Sequence, residues 1–156
     1  MHKKNLKLLQ KYENKSTCIA KKVGCIIISN KSDKLLSYGW NTTIIGSKCN
    51  ELFVRNDNKH ITCINDDIHD THNYWSKHNE IHAEMMALMN LLKNNYIHNS
   101  NDYLKMYVSW SPCMTCMLSI AQTDLIKEIY YKNTYDNLSE IMKIALNYKI
   151  TVTKIT

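Results

Sequence analysis

The chain predicts an α/β layered fold on a mixed sheet, from three observations. Val23-Gly24-Cys25-Ile26-Ile27-Ile28-Ser29 is a continuous run rich in β-branched residues, the composition of a strand covered on both faces. Leu35-Leu36-Ser37-Tyr38-Gly39-Trp40 follows a stretch of turn residues and reads as the return strand of a hairpin. After residue 80, helix and strand patterns alternate to the end, which is how layered sheets with covering helices are written. The hairpin makes the sheet mixed.

Each element can be justified in turn. Residues 1–13 carry Leu6, Leu8 and Leu9 among lysines and read as an amphipathic helix, with Ser16 or Thr17 in the turn behind it. Strands are expected over 23–29 and 35–40. Residues 41–78 are polar, irregular and long, and loops of that length in a compact domain are usually functional or braced by something other than a core. This stretch contains Cys49, Cys63, His60, His69, His72 and His78. Over 81–92, Ile81, Met85, Leu88 and Leu92 share a helical face, while Ala83, Met86, Ala87, Met89 and Leu91 make the other faces apolar. A helix apolar nearly all round is a buried one. A strand over 104–110, a helix from Pro112 to about Thr123, a strand over 126–131, a helix over 138–147 and a strand over 150–155 complete the chain. Repeats and linkers are absent, so residues 1–156 are read as a single domain.

Composition narrows the function. Hydrophobic residues make up 44% and charged residues 22% of 156, as in a soluble globular protein with a real core. No apolar run is long enough to span a bilayer and the start lacks a secretory signal, so a cytoplasmic location is expected. In that compartment six cysteines suggest metal or catalytic roles before disulfides. The net charge is +6, yet 19 of the 20 basic residues are lysine and Arg55 is the only arginine. Proteins that read nucleic-acid sequence lean on bidentate arginine, so nucleic acid is not the expected partner. The 18 asparagines are scattered rather than clustered.

The chemistry lies in Asn79-Glu80-Ile81-His82-Ala83-Glu84 and Ser111-Pro112-Cys113-Met114-Thr115-Cys116. Cys113 and Cys116 are three apart, on one face at the start of a predicted helix, where the thiolate is favoured. His82, at the start of the other helix, supplies a neutral imidazole. One Zn²⁺ with two thiolates and one imidazole is electrically neutral and leaves one tetrahedral position open for water. Glu84 lies outside that set and is placed to move protons in hydrolytic deamination. Cys-x-x-Cys alone would fit a redox pair or half a zinc ribbon. With His-x-Glu upstream and Pro before the first cysteine, the catalytic reading is the specific one.

These motifs resemble the zinc signature of the cytidine deaminase superfamily. The similarity is closer to deoxycytidylate (dCMP) deaminases of phages and large DNA viruses. Lys22-Val23-Gly24, Gly39-Trp40-Asn41, Trp75-Ser76, Met106-Tyr107-Val108-Ser109 and Thr134-Tyr135-Asp136 fall in matching order. The resemblance implies a three-layer α/β/α fold with a five-stranded mixed sheet. It implies hydrolysis of dCMP to dUMP and ammonia for thymidylate synthesis, with dCTP and dTTP as effectors, Mg²⁺ accompanying the nucleotide, and a homo-oligomer, hexameric in the family. It implies substrate contacts from Asn41, the backbone amide of Ala83, Trp110, the carbonyl of Ser111 and the ring of Tyr135. It also implies a structural zinc on Cys18, Cys49, His72 and Glu80, with Cys63, His69 or His78 as substitutes. A metal clip suits a long loop, because closing it removes entropy from the unfolded chain.

Gly39-Trp40-Asn41-Thr42-Thr43-Ile44-Ile45-Gly46 lacks the glycine and proline that the family usually has after the asparagine, and Met86 stands where an asparagine is usual. The sequence does not assign the 5′-phosphate contacts; Lys48, Arg55 and Lys93 are candidates by charge alone. Rival activities are deamination of dCTP, of cytosine in single-stranded nucleic acid, suggested by Ser109-Trp110-Ser111-Pro112-Cys113, or of tRNA adenosine. A non-enzymatic rival is a zinc-stapled binding module, in which Glu84 would have no role.

Overall fold

A computed structural model describes residues 2–56, 60–64, 71–97, 101–135 and 138–156. His69 and Asp136, both singled out above, lie outside the described residues. Helix α1 (Lys3–Glu13) leads to the hairpin strands β1 (Gly24–Ser29) and β2 (Leu35–Trp40). The expected irregular stretch then forms β3 (Thr42–Thr43), α2 (Cys49–Leu52), the short hairpin β4 (Phe53–Arg55) and β5 (Ile61–Cys63), and α3 (His72–Asn79). Next come β6 (Glu80–Ile81), α4 (Ala83–Lys93), β7 (Leu104–Trp110), α5 (Met114–Thr123), β8 (Ile126–Asn133), α6 (Leu138–Asn147) and β9 (Thr151–Lys154).

Five strands form one sheet in the order β2-β1-β7-β8-β9. β1 pairs antiparallel with both β2 and β7, whereas β7–β8 and β8–β9 are parallel. The expected mixed sheet is thus present, and the period-two alternation of β1 shows how it is covered. Cys25 and Ile27 point into a core with Ala83, Ala87 and Leu91 of α4 and with Met117 and Ile120 of α5. Ile26 and Ile28 point the other way, against Leu9 and Tyr12 of α1. Helices therefore cover both faces: α1 on one, α4, α5 and α6 on the other. This is the three-layer α/β/α arrangement.

Two close approaches set the layer spacing. A Cβ on Gly24 would come within 2.5 Å of the Glu13 amide nitrogen, and one on Gly39 within 2.3 Å of the Ala83 carbonyl oxygen. α1 and α4 can lie against the sheet only because those positions have no side chain.

Three expectations need correction. Residues 41–78 are not a coreless loop: Phe53 and Trp75 pack at 5.2 Å between ring centroids and, with Cys18 and Cys49, form a small buried cluster. Two aromatic residues suffice where the polar majority hid them. Helix α4 is not buried all round, since Met89 and Leu92 are 45% and 64% exposed. Its core stripe runs through Ala83, Glu84, Ala87, Leu88 and Leu91. Pro112 stands before the cap of α5 rather than inside its first turn, because the cap is Cys113.

Candidate active site

β3 pairs with β6, Thr43 opposite Glu80, and this short ladder sets where the chain enters α4. Gly46 sits just beyond, at φ +88°, the left-handed conformation that suits glycine. His82 is the N-cap of α4 with extended backbone (ψ 151°), which turns its ring off the helix. Glu84, two residues on, faces inward and is 4% exposed. Across from it, β7 runs out at Trp110, and Cys113 caps α5 with Cys116 in its first turn.

The two helix starts meet through their side chains. His82 Nδ1 lies 3.4 Å from the Sγ of Cys113 and 3.4 Å from the Sγ of Cys116. Tetrahedral zinc with ordinary bond lengths puts nitrogen and sulfur donors about 3.6 Å apart, so the three fit that metal. Their protonation agrees. Cys116 donates to Cys113, lowering the Cys113 thiol to about 4, with His82 assisting. Cys116 goes up, through that same bond and then burial. The lowering at Cys113 comes chiefly from its partner thiol, with His82 adding to it. Metal binding displaces the protons that the thiols carry.

Burial pushes the Glu84 carboxyl up to about 7, against the pull of its own backbone amide and the His82 ring. A carboxyl held near neutrality can both accept and donate a proton. Glu84, His82 and Cys113 line one cavity of about 510 Å3 together with Tyr135 and Ala83. Ala83 opens α4, where first-turn amides have no partner within the helix.

A second group of donors opens on the same cavity. Cys18, Cys49 and His72 have mutually close donor atoms and are all buried. His72 Nε2 is 3.2 Å from the Sγ of Cys49 and 3.7 Å from that of Cys18. Glu80, the fourth expected ligand, is outside that close group but beside it: Oε2 accepts from Ser76 at 2.7 Å, while Oε1 is buried without a hydrogen-bond partner. Burial raises the Glu80 carboxyl, and Cys18 adds to that effect while His72 opposes it. Cys18 is lowered to about 5, chiefly by the hydrogen bond from Cys49, which rises in turn. An orphaned carboxylate oxygen beside two cysteines and an imidazole is a donor set for a cation. Of the proposed substitutes, Cys63 is outside the group and His78 is exposed, its Nδ1 2.8 Å from the Tyr74 carbonyl.

The other candidates divide. Tyr135 lines the cavity, but Trp110 and Ser111 do not; they stand behind it. Trp110 packs on Tyr135 at 5.1 Å, and the Ser111 hydroxyl accepts the Tyr135 amide at 2.8 Å. Asn41 lines the cavity with its carbonyl oxygen doubly engaged and one of its two Nδ2 hydrogens used. Its Oδ1 accepts from Ser16 and from the Val23 amide, and its Nδ2 donates to the Lys21 carbonyl at 2.9 Å. Of the three basic candidates, Arg55 lines the cavity and Lys48 and Lys93 do not. Lys21, Asn73 and Lys77 also line it and were not singled out from sequence. No local pattern marks them, because they come from a turn and from one face of α3.

A mixed five-stranded sheet with a histidine and a cysteine pair gathered at two helix starts, beside a buried glutamate, defines a zinc-dependent deaminase. The family model described as the cytidine and deoxycytidylate deaminase zinc-binding region matches residues 1–133. The deoxycytidylate deaminase of Enterobacteria phage T2 is 32% identical over 144 residues, covering 78% of this chain and 73% of the relative. The deoxycytidylate deaminase of Saccharomyces cerevisiae is 26% identical over 156 residues, covering 94% of this chain and 42% of the relative. Among solved structures, the dCMP deaminase of cyanophage S-TIM5 in complex with dCMP and dUMP shares the fold, with TM-score 0.68, 24% identity and coverage of 97% and 94%. The chain belongs to the cytidine and deoxycytidylate deaminase family. Among the described residues no helix is long and apolar enough to cross a membrane.

Proposed function

We propose that this chain hydrolyses dCMP to dUMP and ammonia. The observation that carries the reading is Glu84, buried with a carboxyl near neutral pKa in the wall that also holds His82 and Cys113. His82, Cys113 and Cys116 would hold zinc, which supplies Lewis acidity toward water. Glu84 takes a proton from water as the oxygen adds to the carbon bearing the amino group. It passes that proton to the ring nitrogen, then carries the second proton from the added hydroxyl to the amine, which leaves as ammonia as the carbonyl forms. Tyr135 packs against the base, and the Ala83 amide, unpaired in its helix turn, faces the ring carbonyl. The Ser111 carbonyl receives the substrate amino group, while its hydroxyl and the Trp110 ring hold Tyr135. Asn41 braces the turn at residues 16–23 and, from the cavity lining, turns its second Nδ2 hydrogen to the substrate. The choice of dCMP draws on the T2 and yeast relatives, which are deoxycytidylate deaminases.

A second zinc on Cys18, Cys49, His72 and Glu80 belongs to the same proposal, supported by the orphaned Glu80 oxygen. Family resemblance brings in dCTP and dTTP as effectors, with Mg²⁺, and a homo-oligomer, hexameric. Exposed Leu118, Met142 and Leu146 on α5 and α6 offer apolar surface for assembly. Light scattering and turnover with added dCTP and dTTP test those parts.

The deciding experiment is ammonia release by zinc-loaded protein from dCMP, dCTP, deoxycytidine and a cytosine oligonucleotide. Preference for dCMP is expected. Deamination of the oligonucleotide alone would overturn the reading, and no turnover at all would favour a zinc-stapled module.

A further inference from the structure

We propose that Lys21, in the lining of the cavity that holds Glu84, is the specificity residue for the 5′-phosphate of the substrate; this rests on the dCMP reading. Lys21, Arg55 and Lys77 line the cavity and are exposed. The carboxylates in the same lining, Glu80 and Glu84, are respectively half-buried and buried. Among the described residues the ion pairs are Lys127 with Asp124 and Lys132 with Glu13, so none of the three rim cations has a carboxylate partner. Among the described residues the rim is therefore positive, a surface that suits a small anion.

The three cations are not equivalent. The Arg55 guanidinium donates to the Ala20 carbonyl at 2.9 Å, so it already serves the turn beside Lys21. Lys77 lies in the last turn of α3, where the helix carbonyls attract its charge. The Lys21 ammonium instead sits over two aromatic faces, 4.4 Å from the Trp110 centroid and 4.2 Å from that of Tyr135. Its backbone is held as well, since the Lys21 carbonyl accepts from Asn41 and the preceding carbonyl from Arg55. A cation fixed before the ligand arrives gives up little freedom on binding.

The same contacts tie phosphate to base. Tyr135 lines the cavity beside Glu84 and carries Lys21 on its face, so one ring packs toward the base while its neighbouring charge meets the phosphate. A lysine ammonium is a compact point charge, suited to a terminal phosphate group. Trp110 gains a role by the same contacts, because from outside the cavity it provides the second face on which the ammonium rests.

The test compares kcat/KM for dCMP and deoxycytidine in zinc-loaded wild type, Lys21→Ala and Lys21→Arg. In Lys21→Ala the dCMP-to-deoxycytidine ratio should fall about 10- to 100-fold, mainly through KM, as expected for one lost bond to a charged group. Lys21→Arg should recover part of it. In protein carrying Glu84→Gln, calorimetry should show Lys21→Ala weakening dUMP by a similar factor without weakening deoxyuridine, a readout independent of turnover. An unchanged ratio, or equal losses on both substrates, would overturn the assignment and leave the deaminase reading standing. Wild type that deaminates deoxycytidine as readily as dCMP would overturn the monophosphate reading itself, and the role of Lys21 with it.

Discussion

Gly39 and Ala83 bring β2 and α4 together so closely that a Cβ on the glycine would lie 2.3 Å from the alanine carbonyl oxygen and 2.6 Å from the Ala87 amide. Ala83 stands between His82 and Glu84, so this contact places both functional residues against the sheet. Backbone atoms cannot swing aside as a flexible side chain can. Gly39→Ala should therefore destabilise the fold by about 1–3 kcal/mol, the usual range for overpacking. A lower urea midpoint at unchanged slope, together with reduced turnover, is the expected result.

Glu84 makes its contribution to rate rather than to metal binding. Glu84→Gln keeps the size and buried position and removes the titrating carboxyl. Turnover of dCMP should fall at least about 10²- to 10⁴-fold, while zinc content and thermal midpoint stay near wild type. Retained activity would show that another group moves the protons.

Metal content separates the two donor groups. Elemental analysis of purified protein should give two zinc ions per chain. Cys49→Ser should leave one and lower the thermal midpoint, because α2, α3 and the 16–23 turn lose their clip. Cys113→Ser should also lose one zinc, together with essentially all activity. A wild-type stoichiometry of one, unaffected by Cys49→Ser, would remove the second site.

Asn41 joins the end of β2 to the turn that carries Cys18 and Lys21. Asn41→Ala breaks the bonds to Ser16, to the Val23 amide and to the Lys21 carbonyl. At about 1 kcal/mol each, with added cost for buried groups left unpaired, a loss of about 3 kcal/mol is expected. Equilibrium unfolding measures it, and a loss below about 1 kcal/mol would mean that water replaces the amide at no cost.

Much of the fold was legible because its signals are local. The isoleucine run of β1, the hairpin, and the alternation after residue 80 each arise within a few residues, and burial on both sheet faces follows from their composition. The small β4–β5 hairpin and α3 were not legible. Phe53 and Trp75 stabilise that region through a contact across more than twenty positions, and the intervening polar residues read as loop. The exposure of Met89 and Leu92 was likewise hidden, since hydropathy records what a helix can bury and not what lies beside it.

For the site, the division follows the reach of each interaction. The chemistry was determined by the sequence alone: His82, Glu84, Cys113 and Cys116 are recognisable because ligand spacing at a helix start is a short-range constraint. Which charges serve the ligand was decided only by tertiary structure. Arg55 lies on the cavity, Lys48 and Lys93 lie away from it, and Lys21, unremarkable in the chain, rests on Trp110 and Tyr135 from more than eighty positions distant. A lone lysine carries the same charge everywhere along a sequence. Its surroundings, assembled by folding, decide what that charge does.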